Sequence, residues 1–435
     1  MSVPLDRLYH YLADVVNHDL IIYRWAPHGS RNLEDLKELR KYQVFDWHTW
    51  LVMICHDQEP LNFDYYNHNQ LAKPASDWLV NYTEFPSVAV HAIANYHAKQ
   101  HLRGSMIHTL VNFYDKTLLL HSESNSTEVE KYTAANFIPV YYWSHALIAK
   151  DWFRYAEHDS ELVFNPNLIN HDFLIYNRAW SGTREYRLKF IEYLIDVGLL
   201  PYCQTSFNAV DNLVNYKNHV FSNADFAIQN YKLEDYLPEN THSSVASADY
   251  NNQDYKHCGI EVVLETLFDD CRWHLTEKIL RPIACGKPFI LMGTAGSLQY
   301  LRRYGFKTFG NVIDESYDQI SNSHDRMQAV IAEMQRIAKL NKCEKIALWK
   351  TLHDIAQHNK EIFFNHLQKQ VIDEYVDNLD QGVSEMKKHC TGKHYRAVLQ
   401  LFSPDSKEFT YLYERLQLDY YTSQFDQWLE LHGSK

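Results

Sequence analysis

An acid, an amine and a turn of small residues are clustered in the stretch 262–318. The carboxylate Glu265 ends a short apolar run, and Thr276-Glu277-Lys278 opens a predicted helix soon afterwards. The predicted strand Pro288–Leu291 then leads through Gly293–Ser297 into another helix. This order predicts that an acid, an amine and several free backbone amides share one edge of a sheet. Such an edge suits a ligand that carries both hydroxyls and phosphates.

The run Thr276-Glu277-Lys278 has both a structural and a chemical interpretation. Thr276 could cap the helix, and Glu277 near its start suits the helix dipole. A carboxylate can also accept both hydroxyls of a ribose, while Lys278, with Arg281 further along the helix, suits a diphosphate. The run is too short for the sequence to decide between the two interpretations.

A second candidate phosphate site is the loop Asn177–Arg184, which follows a predicted strand and opens a predicted helix. Helix N termini attract phosphate, and Arg178 and Arg184 would add bidentate donors. Ser181 and Gly182 add a small hydroxyl residue and a glycine. The alternative is a structural turn whose arginines pair with surface acids, and the spacing of a P-loop is absent.

Short apolar runs predict the strands that position these loops. The predicted strands are Leu20–Trp25, Trp50–Cys55, Thr117–Leu120, Ile138–Trp143, Phe173–Tyr176, a short strand near His219–Phe221, and Pro288–Leu291. Polar residues crowd the carboxyl ends of several of these runs. This pattern is typical of a parallel α/β sheet, in which ligands bind beyond those ends.

Helices are predicted between the strands, and their arrangement predicts the domains. The predicted helices are about Leu33–Tyr42, Ser144–Tyr155 and Thr183–Val197, with a helical pattern from Ser323 to about Val371. The polar stretch Ala156–His171 is the predicted linker. We therefore expect an α/β domain over 1–165, a second α/β domain over 166–345, and a helical tail over 346–435 that packs across both.

Composition narrows the function classes. The chain has 435 residues, of which 46% are apolar, enough for roughly two or three domains with a real core. With 42 basic and 55 acidic residues the net charge is −13, which disfavours broad nonspecific binding to nucleic acid but leaves room for a local basic cleft.

Metal, disulfide and membrane signals are weak. The seven cysteines form no CxxC pair, the 25 histidines have no tight ligand spacing, and Asp269-Asp270 is an isolated acidic pair, so no metal site is predicted. The first residues are polar, and no apolar run approaches the ~18 residues of a spanning helix. We therefore expect a cytoplasmic protein with reduced thiols and no membrane span.

One set of motifs carries a family resemblance. These motifs are Glu265 through Lys278, Arg281, Gly286-Lys287-Pro288 and the turn Gly293–Gly296. Together they resemble the donor-binding half of GT-B glycosyltransferases, closest to the fucosyltransferase and exostosin-like branches, over roughly 172–320. In the fucosyltransferases an E-K pair opens a helix of the carboxyl-terminal domain, and a G-x-P-[VF] strand follows it.

The resemblance implies roles for individual residues. Glu277 would contact the nucleotide ribose, Lys278 would contact the phosphates, and the loop Asn177–Arg184 would hold a further phosphate-binding arginine. The implied donor-binding residues are Arg178, Ser181, Gly182, Arg184, Glu265, Thr276, Glu277, Lys278 and Arg281. The fuller fucosyltransferase motif around E-K is missing, and Tyr300–Phe309 and Asp314–Asp318 are more similar to phage-type glycosyltransferases.

The amino-terminal half is then expected to supply the acceptor site and a general base, which takes the acceptor proton. The candidates that follow its strands are His28, His56, Asp57, Glu59, His121 and Glu123. Asp57 and Glu59 lie in the densest group and are the predicted catalytic residues, although either could instead cap a helix or pair with a cation. Trp143 and His145 could line the acceptor cleft or pack in the core.

The resemblance thus implies an α/β, GT-B-like protein with two Rossmann-like domains facing a central cleft and a helical C-terminal tail. It would transfer a hexosyl or pentosyl group from a UDP or GDP sugar to a hydroxyl, with no metal or cofactor. The phage-like motifs suggest a hydroxymethylated pyrimidine in DNA as acceptor, in the host cytoplasm. The alternatives are a glycan or lipid-linked acceptor, a non-catalytic nucleotide-sugar-binding protein, or an interaction protein with a vestigial cleft.

Overall fold

Two compact units make up the protein, which we name by their place in the sequence. The computed structural model describes residues 8, 11–12, 15–16, 20–25, 51–56, 60–64, 117–135, 137–236 and 249–388. The central unit comprises Glu123–Ser126 and His145–Val371, and the flanking unit comprises Val3–Ser122, Thr127–Ser144 and Ile372–Lys435. These bounds differ from the predicted domains.

The flanking unit contains a four-stranded parallel sheet. Its strands are β1 Leu20–Trp25, β2 Leu51–His56, β3 Thr117–His121 and β4 Phe137–Tyr141. They lie in chain order, β1-β2-β3-β4, and every neighbouring pair is parallel. Leu118, Leu119 and Leu120 are fully buried, as expected for a strand covered on both faces.

The central unit contains a second four-stranded parallel sheet and a small hairpin. The sheet strands are β5 His171–Asn177, β6 Cys203–Phe207, β9 Cys258–Leu264 and β10 Phe289–Met292, and the hairpin strands are β7 Val210–Asp211 and β8 Val214–Asn215. The sheet order is β6-β5-β9-β10, with all pairs parallel.

The winding direction of this sheet reverses between β5 and β9. The chain moves outward from β5 to β6 and then returns to β9 on the opposite side of β5. The loops that leave the carboxyl ends of β5 and β9 therefore run in opposite directions. In open α/β sheets ligands bind in the crevice at such a switch point. These two loops are therefore the expected location of a binding site.

The helices surround these sheets. Their bounds are α1 Thr127–Ala134, α2 Ser144–Trp152, α3 Tyr186–Asp196, α4 Asn252–His257, α5 Glu277–Ala284, α6 Ser297–Arg303, α7 Ser323–Ala338, α8 Lys342–Asn365 and α9 Leu367–Lys388. Local signals explain several starts, such as the reciprocal capping box of Asn341 and Glu344 at α8. No helix in the described part of the chain is long and apolar enough to cross a membrane.

The α/β class with parallel sheets is confirmed, and most predicted strands are shifted by only one or two residues. The predicted strand near His219–Phe221 is wrong, because that segment is a loop and β5 pairs with β6 instead. Strand β6 reads CQTSF and alternates buried with half-buried residues at the sheet edge, so it lacks an apolar run. The predicted linker Ala156–His171 lies inside the central unit and contains the short 3₁₀ turns Ser160–Leu162 and Pro166–Leu168.

Candidate functional site

Arg187 joins the two loops at the switch point. Its Nη1 donates to the carbonyl oxygen of Ala179 at 2.6 Å, on the loop after β5. Its Nη2 donates to the carbonyl oxygens of Leu264 at 2.6 Å and Glu265 at 2.9 Å, at the end of β9. The hydroxyl of Tyr186 also donates to the Glu265 carbonyl at 2.7 Å. The sequence analysis did not single out Arg187, whose only signal is a cation among apolar residues early in α3.

Lys278 brings an amine to the loop after β9. Its Nζ lies 3.3 Å from the Thr266 hydroxyl, 3.2 Å from the Thr276 hydroxyl and 3.0 Å from Glu277 Oε1. Thr266 adjoins Glu265, so the ammonium lies beside the contact made by Arg187. About a quarter of the Lys278 side chain is exposed, at 23%, so this residue lies partly at the surface.

Glu277 is an ionised, buried carboxylate between Lys278 and His145. Its Oε2 lies 3.4 Å from His145 Nδ1, an ion-pair distance that is longer than a good hydrogen bond. Burial opposes ionisation of Glu277, but the neighbouring Lys278 and His145 outweigh it and hold the pKa of this carboxyl well below its usual value. The buried ring of His274 packs edge-to-face on His145, with centroids 5.2 Å apart. Glu277 can therefore act only as a hydrogen-bond acceptor near neutral pH.

Glu265 closes the loop between β9 and α5. Its carboxylate accepts from the backbone N–H of Thr276 at 3.0 Å, the Thr276 hydroxyl at 2.7 Å and the N–H of Thr266 at 3.1 Å. The residue is 0% exposed. Thr276 caps α5 by accepting from the N–H of Lys278, as predicted. The structure thus gives Glu265 and Thr276 a role in positioning Glu277 and Lys278, and their predicted contact with a donor stays a prediction.

Arg281 is buried and does not reach the carboxyl edge of the sheet. Its Nη2 pairs with Glu261 Oε1 at 2.5 Å, and its Nε donates to the Tyr255 hydroxyl at 3.2 Å. Its guanidinium also lies over the ring of Tyr176, 4.4 Å from the centroid. Because Glu261 lies within β9 and not in the loop after it, this pair holds the Arg281 guanidinium away from the carboxyl ends of the strands. These contacts give Arg281 a structural role, and its predicted donor-binding role stays a prediction.

A carboxylate already occupies the loop Asn177–Arg184. Asp211 Oδ2 accepts from the backbone N–H groups of Trp180 at 2.8 Å and Ser181 at 2.7 Å. Burial opposes ionisation of Asp211, but these donors outweigh it and lower its pKa. Gly182 takes a left-handed conformation, with φ +64°, within a 3₁₀ turn. The amides of Trp180 and Ser181 are thus filled from within the chain, which corrects the expectation that they would hold phosphate.

The two arginines of this loop differ. Arg184 makes a polar interaction and lies within electrostatic reach of the Asp211 carboxylate. Arg178 is half-buried and has no hydrogen bond or ion pair with any residue that the structure describes. It directly precedes Ala179, whose carbonyl binds Arg187. Among the described residues, Arg178 is therefore a cation without an acidic partner, beside the switch point.

Two amides of the turn after β10 also bind within the chain. The N–H of Gly296 donates to the Asp318 carbonyl at 2.7 Å, the N–H of Ser297 to the Thr294 carbonyl at 3.2 Å, and the N–H of Leu298 to Asp318 Oδ1 at 3.1 Å. Gly296 has φ +83°, and a Cβ there would lie 2.9 Å from the Trp273 ring. Gly296 and Ser297 therefore offer no free amides, whereas the amides of Thr294 and Ala295 have no acceptor among the described residues. The loops after β5 and β9 remain the stronger candidate site, because they lie at the switch point.

Glu123 belongs to the central unit and orders the loop after β9. It is 2% exposed, accepts from the Ser126 hydroxyl at 2.5 Å and pairs with Arg272 Nη1 at 3.3 Å. Arg272 also pairs with Asp270 at 2.6 Å. Glu123 therefore helps to position the loop after β9. In this conformation its carboxylate is bonded to Ser126 and Arg272.

The other predicted acceptor-side and catalytic residues are Trp143, His56, His28, Asp57 and Glu59. Trp143 is 0% exposed in the flanking unit, as core packing requires. His56 ends β2, where only the backbone is described. His28, Asp57 and Glu59 lie outside the described residues. The assignment of Asp57 and Glu59 as catalytic residues therefore stays a prediction.

Neither metal ligands nor relatives identify the site. The described residues contain no cluster of His, Cys, Asp or Glu side chains suited to a metal ion. Comparisons with protein families, with curated proteins and with solved structures found no match for this chain. Function has to be inferred from the geometry at the carboxyl ends of β5 and β9.

Proposed function

We propose that this chain is a GT-B glycosyltransferase whose nucleotide-sugar donor binds beyond the carboxyl ends of β5 and β9. One observation carries the proposal. Arg178 lies on the loop that follows β5, Lys278 at the start of α5 places its ammonium against Thr266 in the loop that follows β9, and Arg187 joins these two loops across the switch point. Neighbouring strands are only about 5 Å apart, which supports the proposal that one diphosphate contacts both cations.

The charges in this site suit a diphosphate leaving group. Lys278 is partly exposed, and Arg178 has no partner among the described residues. In the proposed reaction both cations stabilise the negative charge that develops on the diphosphate as the glycosidic bond breaks. Preformed cations cost no reorganisation at that moment, so no metal is required in this scheme.

Glu277 suits the ribose of the donor. It is held ionised by Lys278 and His145, so it accepts hydrogen bonds and does not donate them. A ribose offers two adjacent hydroxyl donors. Because Glu277 and Lys278 are consecutive at the start of α5, one nucleotide can contact Glu277 through its ribose and Lys278 through its phosphates in this proposal.

The acceptor in this proposal is a hydroxyl, activated by Asp57 or Glu59. The resemblance to phage-type enzymes favours a hydroxymethylated pyrimidine in DNA, which would have to leave the base stack to be modified. A mass gain on hydroxymethylated DNA, with none on unmodified DNA, is the expected result of incubation with a panel of nucleotide sugars. Transfer to a glycan instead would redirect the acceptor, and binding without transfer to any acceptor would favour a nucleotide-sugar-binding protein.

Calorimetric titration with UDP and GDP tests the donor site itself. Loss of one charge-assisted contact costs about 1.5–3 kcal/mol, so Arg178→Ala and Lys278→Ala should each weaken binding roughly 10- to 100-fold. Lys339→Ala is the matched control, because Lys339 is exposed in the same unit. The proposal fails if no diphosphate nucleotide binds the wild-type protein, or if all three variants bind like wild type.

A further inference from the structure

A second cluster of cations lies at the amino ends of the strands of the central sheet. Lys287 precedes β10, and Cys258 begins β9, so both lie at the amino ends of the strands. The switch point lies at the other end of β9, about 20 Å away for a strand of this length. The cluster is therefore separate from the proposed donor site.

Lys287 is the centre of this cluster. It is 6% exposed, and although its backbone N–H donates to the Pro282 carbonyl at 2.8 Å, its side chain has no hydrogen bond or ion pair with any residue that the structure describes. Ammonium groups are rarely buried without a partner, because loss of hydration is costly. The carboxylate nearest along β9, Glu261, is taken up by Arg281 and Tyr255.

Helix α8 adds a second lysine and two polar side chains. His353, Gln357 and Lys360 are spaced to share one face of the helix. Gln357 Nε2 donates to the carbonyl oxygen of Gly286 at 3.2 Å, and a Cβ on Gly286 would lie 3.2 Å from Lys360 Cδ. This face therefore packs directly on the turn that presents Lys287.

Electrostatics link the members of the cluster. Burial lowers the pKa of Lys287 to about 8, and the charge of Lys360 adds to this shift. Burial and the charge of Lys287 likewise lower the pKa of His353. Lys360 donates to the Ala156 carbonyl at 2.7 Å, and the carboxylates of Asp159 and Glu157 act on it electrostatically. Two lysines thus repel each other in a partly buried site where no described residue accepts a hydrogen bond from the Lys287 ammonium.

We propose that Lys287 and Lys360 form a second anion-binding site, which takes a small oxyanion such as inorganic phosphate or a phosphate monoester. The oxyanion accepts from both ammonium groups and replaces the hydration that burial of Lys287 removes. Gln357 is exposed and His353 is half-exposed, so the site opens to solvent on this face of α8. His353 stacks on Phe164, with centroids 4.2 Å apart, which fixes the imidazole at this opening.

The test measures thermal unfolding of the full chain in inorganic phosphate. Arg178→Ala/Lys278→Ala serves as the background, so that phosphate binding at the proposed donor site does not contribute. At a phosphate concentration of about five times Kd, the melting temperature of this background should rise by roughly 2–4 °C. Sodium chloride at the same ionic strength should not reproduce the rise.

Variants of the cluster complete the test. Lys287→Met should abolish the rise and Lys360→Met should reduce it, while the exposed control Lys339→Met should keep it. If Lys287→Met does not fold, Lys360→Met and Lys287→Arg, which keeps the charge and the response, provide the comparison. An equal rise in chloride, no rise in the background, or an undiminished rise in the Lys287 and Lys360 variants would overturn the proposal. Binding of UDP or GDP to Lys287→Met in the otherwise wild-type chain tests the donor site separately.

Discussion

The guanidinium of Arg187 donates to the carbonyl oxygen of Glu265 at 2.9 Å, and this contact joins α3 to the end of β9 at the switch point. The same guanidinium also binds the carbonyls of Ala179 and Leu264. Carbonyl acceptors bind Nη1 and Nη2, whereas Nε is buried without a partner among the described residues, and no carboxylate contacts the guanidinium there to neutralise its charge. Arg187 therefore holds the two loops together and adds positive potential beneath the proposed diphosphate site.

Replacement of Arg187 should destabilise the central unit. Lysine cannot reproduce the planar fork, so Arg187→Lys leaves at least one buried carbonyl unsatisfied and should lower the free energy of unfolding by about 2–4 kcal/mol. Urea denaturation measures this loss. Arg154→Lys is the control, because Arg154 is exposed and bonds mainly to nearby Asp151. Equal stability of the two variants would contradict the role assigned to Arg187.

The carboxylate of Glu277 should make stability depend on pH. Its folded pKa is below the ordinary value of 4.5, so its contribution is present above about pH 4.5 and is lost as the pH falls toward the folded pKa. Glu277→Gln should therefore be less stable than wild type at pH 7 and 5, by about 1–3 kcal/mol. The difference should shrink at pH 4 and below.

Urea titrations of both proteins across this pH range provide the measurement. Glu161→Gln is the control, because the side chain of Glu161 is 51% exposed in its pair with Lys256. A gap between wild type and Glu277→Gln that stays constant down to pH 3.5 would show that Glu277 is not held ionised by its neighbours.

Asp318 should show the opposite sign. Burial raises its pKa to about 6, even though it accepts from the backbone N–H of Leu298. The folded protein therefore binds more protons than the unfolded chain between about pH 4 and 6, and stability from this group falls as the pH rises through that window. Asp318→Asn keeps an acceptor for Leu298 without the charge. Its stability relative to wild type should rise from pH 4 to 7, and a flat difference would exclude the shifted pKa.

Local sequence signals predicted where helices and strands begin. They did not predict which polar groups of these elements remain free to bind a ligand. Thr276 caps α5 through its own neighbour, so a short run was enough to predict the helix start. By contrast, the amide of Ser181 is filled by Asp211, thirty positions away, and Arg281 by Glu261, twenty away. Such pairings depend on which strands become neighbours, which periodicity does not reveal. The sequence could therefore locate the loops but not decide which of their donors remain available.

Strand β6 and Lys287 illustrate the same limit. An edge strand needs only one buried face, so its alternating polar residues weaken the apolar signal. Lys287 was part of a motif that resembled a strand start, and nothing local distinguished a buried amine from an exposed one. Its environment is created by α8, more than sixty positions later, through the contact between Gln357 and Gly286.

The hairpin of β7 and β8 offers a prediction about backbone strain. Asn212 and Leu213 form its two-residue loop with φ of 46° and 66°, both in the left-handed region. Type I′ turns of this kind prefer Asn-Gly, and a leucine there costs roughly 1–2 kcal/mol. Leu213 is 100% exposed, so its side chain contributes no packing that a substitution would remove. Leu213→Gly should therefore raise the free energy of unfolding by about 1 kcal/mol and the melting temperature by roughly 2–4 °C.

Thermal unfolding compares this variant with Val220→Gly. Val220 is 87% exposed but is not left-handed, so glycine there adds only freedom to the unfolded chain and should be neutral or destabilising. Nucleotide binding should be unchanged in Leu213→Gly, because Asp211 keeps its hydrogen bonds to Trp180 and Ser181. A fall in melting temperature equal to that of Val220→Gly would mean that Leu213 is not strained, and that the turn tolerates leucine without cost.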